Sequence, residues 1–129
     1  MPVLMGDCEG FRGMAALDMD RLTKPFLSWS ESAPQLVDVA AGRTKADMVI
    51  RGGQVVNVHS REVLRWDVAI AAGRVAYLGP DARPMIGAKT DVIDWDGFVL
   101  PGFLDGHMHV DSGLLAPAAF ARAVTPHGT

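Results

Sequence analysis

The sequence predicts an α/β fold in which a small β-sandwich portion precedes the first β/α unit of a larger domain. Three observations support this prediction. Short runs rich in valine and isoleucine, punctuated by glycine, fill residues 47–101. After residue 102, an apolar run is followed by a helical pattern that begins at a proline. Residues 1–46 lack the β-type pattern and are assigned to an N-terminal helical extension, which leaves residues 102–129 as the incomplete β/α unit.

Two helices are predicted in the N-terminal extension. Residues 12–22 carry methionine and leucine at loosely helical spacing, and residues 34–41 form a second short helix that ends at Gly42. A methionine-rich stripe is able to line a cofactor pocket. We interpret it as the buried face of an amphipathic helix, because that is its usual role.

Short strands joined by glycine-containing turns are predicted between residues 47 and 101. The pair Gly52-Gly53 supplies the positive φ angles of a tight turn and predicts a first hairpin. The pair Ala72-Gly73 predicts a second hairpin in the same way. The predicted strands cover residues 48–51, 54–58, 63–71, 74–78, 90–95 and 98–100.

These strands are expected to form a small antiparallel sheet or sandwich with one buried face. Pro101 ends the last of them, because proline has no N–H group to donate to a neighbouring strand. Trp66, Tyr77 and Trp95 lie in or beside the strands, where large rings usually seal the edge of a core. Stacking of a ligand on these rings stays open as the less favoured alternative.

Composition and charge exclude several functional classes. The 129 residues include 15 acidic and 12 basic side chains, which gives a net charge of −3, and 49% are hydrophobic. This balance is typical of a globular protein, and it lacks the basic stripe of a nucleic-acid partner. No apolar run approaches the roughly 20 residues that span a membrane. The first ten residues lack a cationic signal region, so a cytoplasmic protein is expected, and the lone Cys8 forms no internal disulfide.

The segment from Pro101 to His109 carries the chemistry and reads Pro-Gly-Phe-Leu-Asp-Gly-His-Met-His. Residues 103–110 are predicted to form a strand, on which His107 and His109 face the same side about 6 to 7 Å apart. Two convergent imidazoles are candidate ligands for a divalent metal ion. The alternative, two solvent-facing or hydrogen-bonded histidines, stays open because His-x-His alone is weak evidence; the preceding Pro-Gly and Asp105 favour the metal.

A short helix is predicted to follow the histidine segment. Pro117 suits the first position of a helix over residues 118–124, which ends before Pro126. Strand, loop and helix in this order make half of a βαβ unit. Since a parallel strand is not buried without neighbours, we expect the chain to be cut from a longer domain.

At these residues the sequence resembles the amidohydrolase superfamily, whose members join a small β-sandwich to a metal-dependent (β/α)8 barrel through a strand bearing Pro-Gly-x-x-Asp-x-His-x-His. The resemblance covers roughly residues 47–129. Within the superfamily, the runs DMVIRGG, VVNV, FARAV and PHGT are similar to the adenine deaminase family. Two positions depart from that family, because Asp111 stands where glutamate is usual and Gly113 where serine is usual.

The resemblance implies that His107 and His109 are first-strand ligands of a binuclear Mn, Fe or Zn centre. Asp105 matches the acidic position of the motif, and an orienting or structural role suits it better than ligation. Asp111 and Ser112, at the active-site end of the strand, are candidates for a supporting role. The equally good alternative is that they only begin and cap the loop.

The activity implied by the resemblance is hydrolytic deamination of a purine, adenine, to hypoxanthine and ammonia by a homo-oligomeric enzyme. Another superfamily hydrolase, acting on a cyclic amide or an N-acyl amino acid, is disfavoured because no arginine follows His109 closely. A non-catalytic truncated β module is the other alternative. A (β/α)8 barrel needs about 250 residues, so the chain alone is expected to lack the general acid/base and to be inactive.

Overall fold

A computed structural model of the chain describes the backbone of residues 2–5 and residues 27–125. The predicted helix over residues 12–22, Cys8 and the PHGT run lie outside these residues. The strands are β1 (Pro2–Met5), β2 (Met48–Asn57), β3 (Glu62–Ala71), β4 (Arg74–Gly79), β5 (Asp91–Asp94) and β6 (Phe98–Pro101). The helices are α1 (Trp29–Ala40) and α2 (Pro117–Val124), with 3₁₀ turns at Arg83–Met85 and Asp111–Gly113.

The six strands form one sheet with β2 at its centre. The strand order is β1-β6-β2-β3-β4, and β5 pairs with β2 off this path. β3 is antiparallel to β2 along one edge, whereas β5 and then β6 run parallel to β2 along its other edge. β1 extends the sheet beyond β6, which the sequence patterns did not predict. The prediction of a wholly antiparallel assembly is therefore wrong for the two pairings along this edge.

The predicted hairpin at Gly52-Gly53 is also wrong. β2 runs straight through both glycines, and its register with β3 shifts between Ile50 and Gly53. Gly52 adopts a φ of 75°, which suits a β-bulge as well as it suits a turn. The chain instead reverses between β2 and β3, over residues 58–61, where Arg61 has a φ of 61°.

The second predicted hairpin is confirmed. β3 and β4 pair antiparallel around Ala72 and Gly73, whose φ angles of 49° and 70° are both positive, as in a type I′ turn. The Asp47 carboxylate accepts a hydrogen bond from the Ala72 N–H at 2.9 Å. The turn is thereby held from the neighbouring strand as well as by its own backbone.

The predicted second helix is confirmed, but it begins earlier than residue 34. α1 starts at Trp29 behind a capping box, in which Glu31 and the N-cap Ser28 satisfy each other's backbone N–H groups. Hydrogen bonds from Ser28 lower the pKa of Glu31. Pro34 lies inside the helix rather than at its start.

Both faces of the sheet are covered, so the predicted sandwich of two sheets is not formed by the described strands. On one face, Leu36 and Val39 of α1 pack with Val49 of β2. On the other face, Trp95 and Val99 pack with β2 and β3. A single sheet suffices, because α1 covers one face and Trp95, between β5 and β6, packs with the buried side chains of the other.

The predicted strand over residues 103–110 is not formed. Residues 102–109 are irregular and exposed, and no strand among the described residues pairs with them. A parallel strand requires a hydrogen-bonded neighbour, so an apolar run alone does not make one. α2 is confirmed with Pro117 at its start, and none of its residues is buried. Neither helix in the described part has the length and apolar character needed to cross a membrane.

The buried carboxylate of Asp67 ties the bulge to the loop after β4. Asp67 is only 9% exposed. It accepts one hydrogen bond from the Gly52 N–H and another from the Ala82 N–H, both at 2.9 Å. Two backbone donors that the sheet leaves unpaired are thus satisfied by one side chain.

Replacing Asp67 with alanine is expected to lower the free energy of unfolding by about 2–4 kcal/mol, because each buried donor left without a partner costs roughly 1–3 kcal/mol. Urea denaturation followed by tryptophan fluorescence measures the loss. Asp96→Ala is the control, since it removes only a surface ion pair with Arg65. An equal loss in both variants would contradict the role given to Asp67.

Replacing Gly53 with alanine is expected to destabilise the chain by about 1–3 kcal/mol through overpacking. A Cβ atom at Gly53 would lie 2.6 Å from Cγ2 of Val99, which is 2% exposed and has little freedom to move. At Gly106 a Cβ atom meets nothing within 4 Å, so Gly106→Ala is the matched control. Comparable denaturation midpoints for both variants and the unsubstituted chain would show that the bulge tolerates a side chain.

Candidate functional site

The two histidines of the motif converge in the exposed segment after β6. The Nε2 atoms of His107 and His109 are 2.9 Å apart. The rings meet edge to face, with centroids 4.8 Å apart and an angle of 64° between their planes. The predicted convergence is therefore observed, although an irregular segment produces it and not a strand.

Local backbone hydrogen bonds shape the segment around the histidine pair. The His107 N–H donates to Oδ1 of Asp105 at 3.0 Å. On the far side, the Ser112 N–H donates to the His109 carbonyl at 3.3 Å, and the Gly113 N–H donates to the Val110 carbonyl at 3.1 Å. The histidines thus lie between an aspartate-capped turn and a 3₁₀ turn.

The spacing of the two imidazoles fits a shared metal ion. Two nitrogens that each lie about 2.0–2.1 Å from one ion are roughly 2.9–3.4 Å apart for octahedral and tetrahedral angles. The distance of 2.9 Å between the Nε2 atoms of His107 and His109 falls in that range. It also permits a hydrogen bond from one imidazole to the other. Both interpretations left open by the sequence are compatible with this geometry.

The other predicted site residues occupy different positions relative to the pair. Asp105 contacts His107 through the backbone N–H. Asp111 begins the 3₁₀ turn that follows, and Ser112 is the exposed second residue of that turn. Among residues 27–125, no group of three or more His, Cys, Asp or Glu side chains is arranged to hold a metal ion. Within these residues, His107 and His109 are therefore the two candidate metal ligands that lie close together.

His59 is not part of the pair. It lies exposed in the turn between β2 and β3, where its N–H donates to Oδ1 of Asn57 at 3.1 Å. No motif surrounds this histidine in the sequence, which predicts a surface position, and the structure shows it exposed.

A shallow depression of about 310 Å³ lies at the bulge, and sequence reasoning did not predict it. Arg51 binds Asp94 with two hydrogen bonds of 2.7 and 2.8 Å there, and Arg65 pairs with Asp96 at 2.8 Å. The hydrogen bonds from Arg51 lower the pKa of Asp94, and those to the carboxylate raise the pKa of Arg51. Each of these two arginines is paired with an aspartate, so the four side chains leave no unpaired charge among them to attract a ligand.

No sequence motif marks this depression, because its residues come from separate segments of the chain. They are Arg51, Gly52, Arg65, Asp94, Trp95 and Asp96. Only the pairing of β2 with β3 and β5 brings these segments together.

Comparison with known proteins places the chain beside adenine deaminases. It is 60% identical to the adenine deaminase of Ruegeria sp. (strain TM1040) over 108 residues, which are 82% of this chain and 18% of that protein. It is 59% identical to the adenine deaminase of Paracoccus denitrificans over 113 residues, 86% of this chain and 19% of that protein. Identity to the Moorella thermoacetica adenine deaminase is 50% over 78% of this chain and 17% of that protein.

Two further comparisons add little. No family model matches the sequence. A crystal structure of a Bacillus thuringiensis protein superposes with a TM-score of 0.41 and 26% identity, over 50% of this chain and 90% of that one. The likeness to adenine deaminases therefore rests on the sequence matches.

The resemblance predicted from the sequence is confirmed by these matches: the chain is similar to the N-terminal part of adenine deaminases. It spans less than a fifth of the length of the curated relatives that it matches.

Proposed function

We propose that this chain is the N-terminal part of an adenine deaminase, a hydrolase that converts adenine and water into hypoxanthine and ammonia. The observation that carries the proposal is the convergence of His107 and His109, Nε2 to Nε2 at 2.9 Å, in a chain 60% identical to an adenine deaminase. The purine substrate is inferred from the relatives, which are named adenine deaminases. The distance between the two imidazoles, which is compatible with a shared ion, supports the metal part of the proposal.

In this proposal His107 and His109 hold a divalent ion, Mn, Fe or Zn, of a centre completed by ligands from outside the described residues. Such an ion, when bound, supplies hydroxide near neutral pH by lowering the pKa of water. The two imidazoles would contribute nitrogen ligands through Nε2 atoms that lie 2.9 Å apart. Asp105 supports them from the backbone side, and Asp111 and Ser112 belong to the turn that follows.

The exposed apolar surface of residues 102–125 supports a second part of the proposal, that these residues begin a (β/α)8 barrel. Leu104 and Leu114 are 96% and 95% exposed, and Phe103 and Leu115 are about half exposed. Exposed apolar side chains that are concentrated in one short segment often mark a surface that another element covers. Further β/α units would provide that cover and give residues 103–110 the neighbour that a strand needs. The proposed domains are the N-terminal extension, 1–46, whose strand β1 joins the sheet, the composite portion, 47–101, and the start of the barrel, 102–129.

A chimera tests the proposed activity. In it, residues 1–129 replace the matching part of the Paracoccus denitrificans adenine deaminase. The chimera, purified with Mn or Zn, is expected to convert adenine to hypoxanthine, as followed by absorbance, and His107→Ala is expected to lower kcat/KM at least about 100-fold. The expected loss is this large because removal of a residue that only supports a metal ligand already lowers metal affinity or activity about 10–100-fold.

The matched control in the chimera is His59→Ala, which removes an exposed histidine far along the chain from the motif. Its activity should equal that of the unsubstituted chimera. A chimera that elutes as a folded species of the parent's size but lacks activity, beside an active parent, would contradict the proposal. So would full activity of the His107→Ala variant.

Metal binding by the 129-residue chain itself is expected to be weak but measurable. Titration calorimetry with Zn²⁺ should show one ion per chain, and His107→Ala or His109→Ala should lower the affinity at least about tenfold, because each removes one of two nitrogen ligands. His59→Ala is again the control. Equal affinities in all four proteins would place any bound ion elsewhere.

A further inference from the structure

The outer edge of β4 combines an unpaired strand with exposed apolar side chains. β4 ends the strand order of the sheet, and β3 is the one described strand that pairs with it. After Arg74 the strand contains no charged residue and no proline, two features that commonly protect an edge. Val75 and Leu78 are both exposed. Such an edge is a template for a further strand.

A register shift places these two side chains on one face of the sheet. Val75 lies opposite Ile70, and Leu78 lies opposite Val68, because the register shifts between the two pairs. Residues directly opposite each other in antiparallel strands point to the same face. Ile70 and Val68 belong to the apolar cluster on the face that α1 does not cover. Val75 and Leu78 therefore extend this cluster to the edge of the sheet.

α1 presents an apolar stripe of its own above the same edge. Trp29, Ala33 and Val37 follow one another at intervals of four residues, which places them along one side of the helix. Trp29 and Val37 are 66% and 59% exposed. The guanidinium of Arg74, at the start of β4, lies 5.2 Å from the centroid of the Trp29 ring. The stripe is thus on the side of α1 that faces the β4 edge.

α1 runs along β4 in the same direction. Its start lies beside Arg74, which donates from Nη2 to the Leu27 carbonyl, whereas Lys45, after its end, donates to the carbonyl of Pro84, after the end of β4. Because α1 packs on β3 and β4, a helix centred above them lies about 5 Å from an axis beside β4. A two-fold axis there places two copies of α1 antiparallel and about 10 Å apart, a distance at which helices pack.

We propose that the β4 edge is an interface with a second copy of this chain, related by a two-fold axis that pairs β4 antiparallel with β4 of the second copy. In this arrangement Val75 faces Leu78 of the second copy across the new strand pair. Above the strands, Trp29 faces Val37 of the second copy, and the small side chain of Ala33 lies at the centre, where it permits close approach. A second copy fits because it presents the same strand beneath the same helix.

Size and charge predict a weak but specific dimer. By their numbers of residues, β4 is about 20 Å long and α1 about 18 Å. One helix above one strand makes a face about 20 Å high, so each copy contributes roughly 400 Å². The total of about 800 Å² lies below the standard size of a stable interface, where transient complexes fall. Opposite charges meet at the ends, because Arg74 approaches the end of β4 in the second copy, which Asp81 follows.

Sedimentation velocity of the 129-residue chain tests the dimer without any metal or substrate. A dissociation constant of about 10–100 µM is expected for an interface of this size. Leu78→Lys and Val37→Lys should each weaken the dimer at least about tenfold, because the two-fold axis brings the new charge to two contacts. Val58→Lys is the matched control, since Val58 is as exposed as Val37 but lies in the turn between β2 and β3. Thermal unfolding should be similar in all variants, because the replaced side chains are exposed.

A mixture of two variants tests the pairing of the strands. Leu78→Lys and Val75→Asp should each weaken self-association. In a mixed dimer the introduced lysine of one chain faces the introduced aspartate of the other, so the mixture should associate at least about tenfold more tightly than either variant alone. A mixture no tighter than its components would overturn the antiparallel pairing that we propose.

Two other outcomes would also overturn the proposal. A chain that stays monomeric up to about 500 µM, well above the expected dissociation constant, would leave the β4 edge to another occupant, such as a later segment of a longer protein. Association that Leu104→Lys abolishes and Leu78→Lys leaves unchanged would place the contact in residues 102–125, where Leu104 is almost fully exposed.

Discussion

The buried carboxylate of Asp67 fixes the point at which the central strand changes partners. By accepting hydrogen bonds from Gly52 and Ala82, it satisfies the donor that the bulge exposes and ties β2 to the loop after β4. Before the bulge β2 pairs with β5, and after it with β6. The position of β6 decides where the chain leaves the sheet at Pro101, and hence where the histidine segment begins. The site thus depends on a carboxylate far from it in sequence.

The elements predicted correctly are those whose signals are local. Ala72-Gly73 forms its hairpin because both the turn and the strands that it joins lie within a few residues of each other. Gly52-Gly53 carries the same local signal, yet it forms a bulge, because partners about 40 residues away keep β2 extended. Pro34 predicts too late a start for α1, because proline usually begins a helix, whereas the capping box of Ser28 and Glu31 marks the observed start.

The site shows the same division between local and distant information. The motif predicted that His107 and His109 converge, and their Nε2 atoms are in fact 2.9 Å apart. The predicted strand over residues 103–110, on which the two histidines would face the same side, is wrong. The sequence pattern does not reveal whether a neighbouring strand exists to pair with it. The remaining ligands of a hydrolytic centre were not predicted from the motif, since side chains distant in sequence contribute no pattern to it.

The sheet and the histidine segment meet different physical demands. The sheet has a buried apolar cluster on each face, one beneath α1 and one around Trp95. Residues 102–125 leave Leu104 and Leu114 almost fully exposed, so their apolar surface requires neighbours. The hydrogen bond between Asp105 and the His107 N–H lies within the motif, as does the close approach of the two imidazoles, and neither depends on a described strand pairing with the segment.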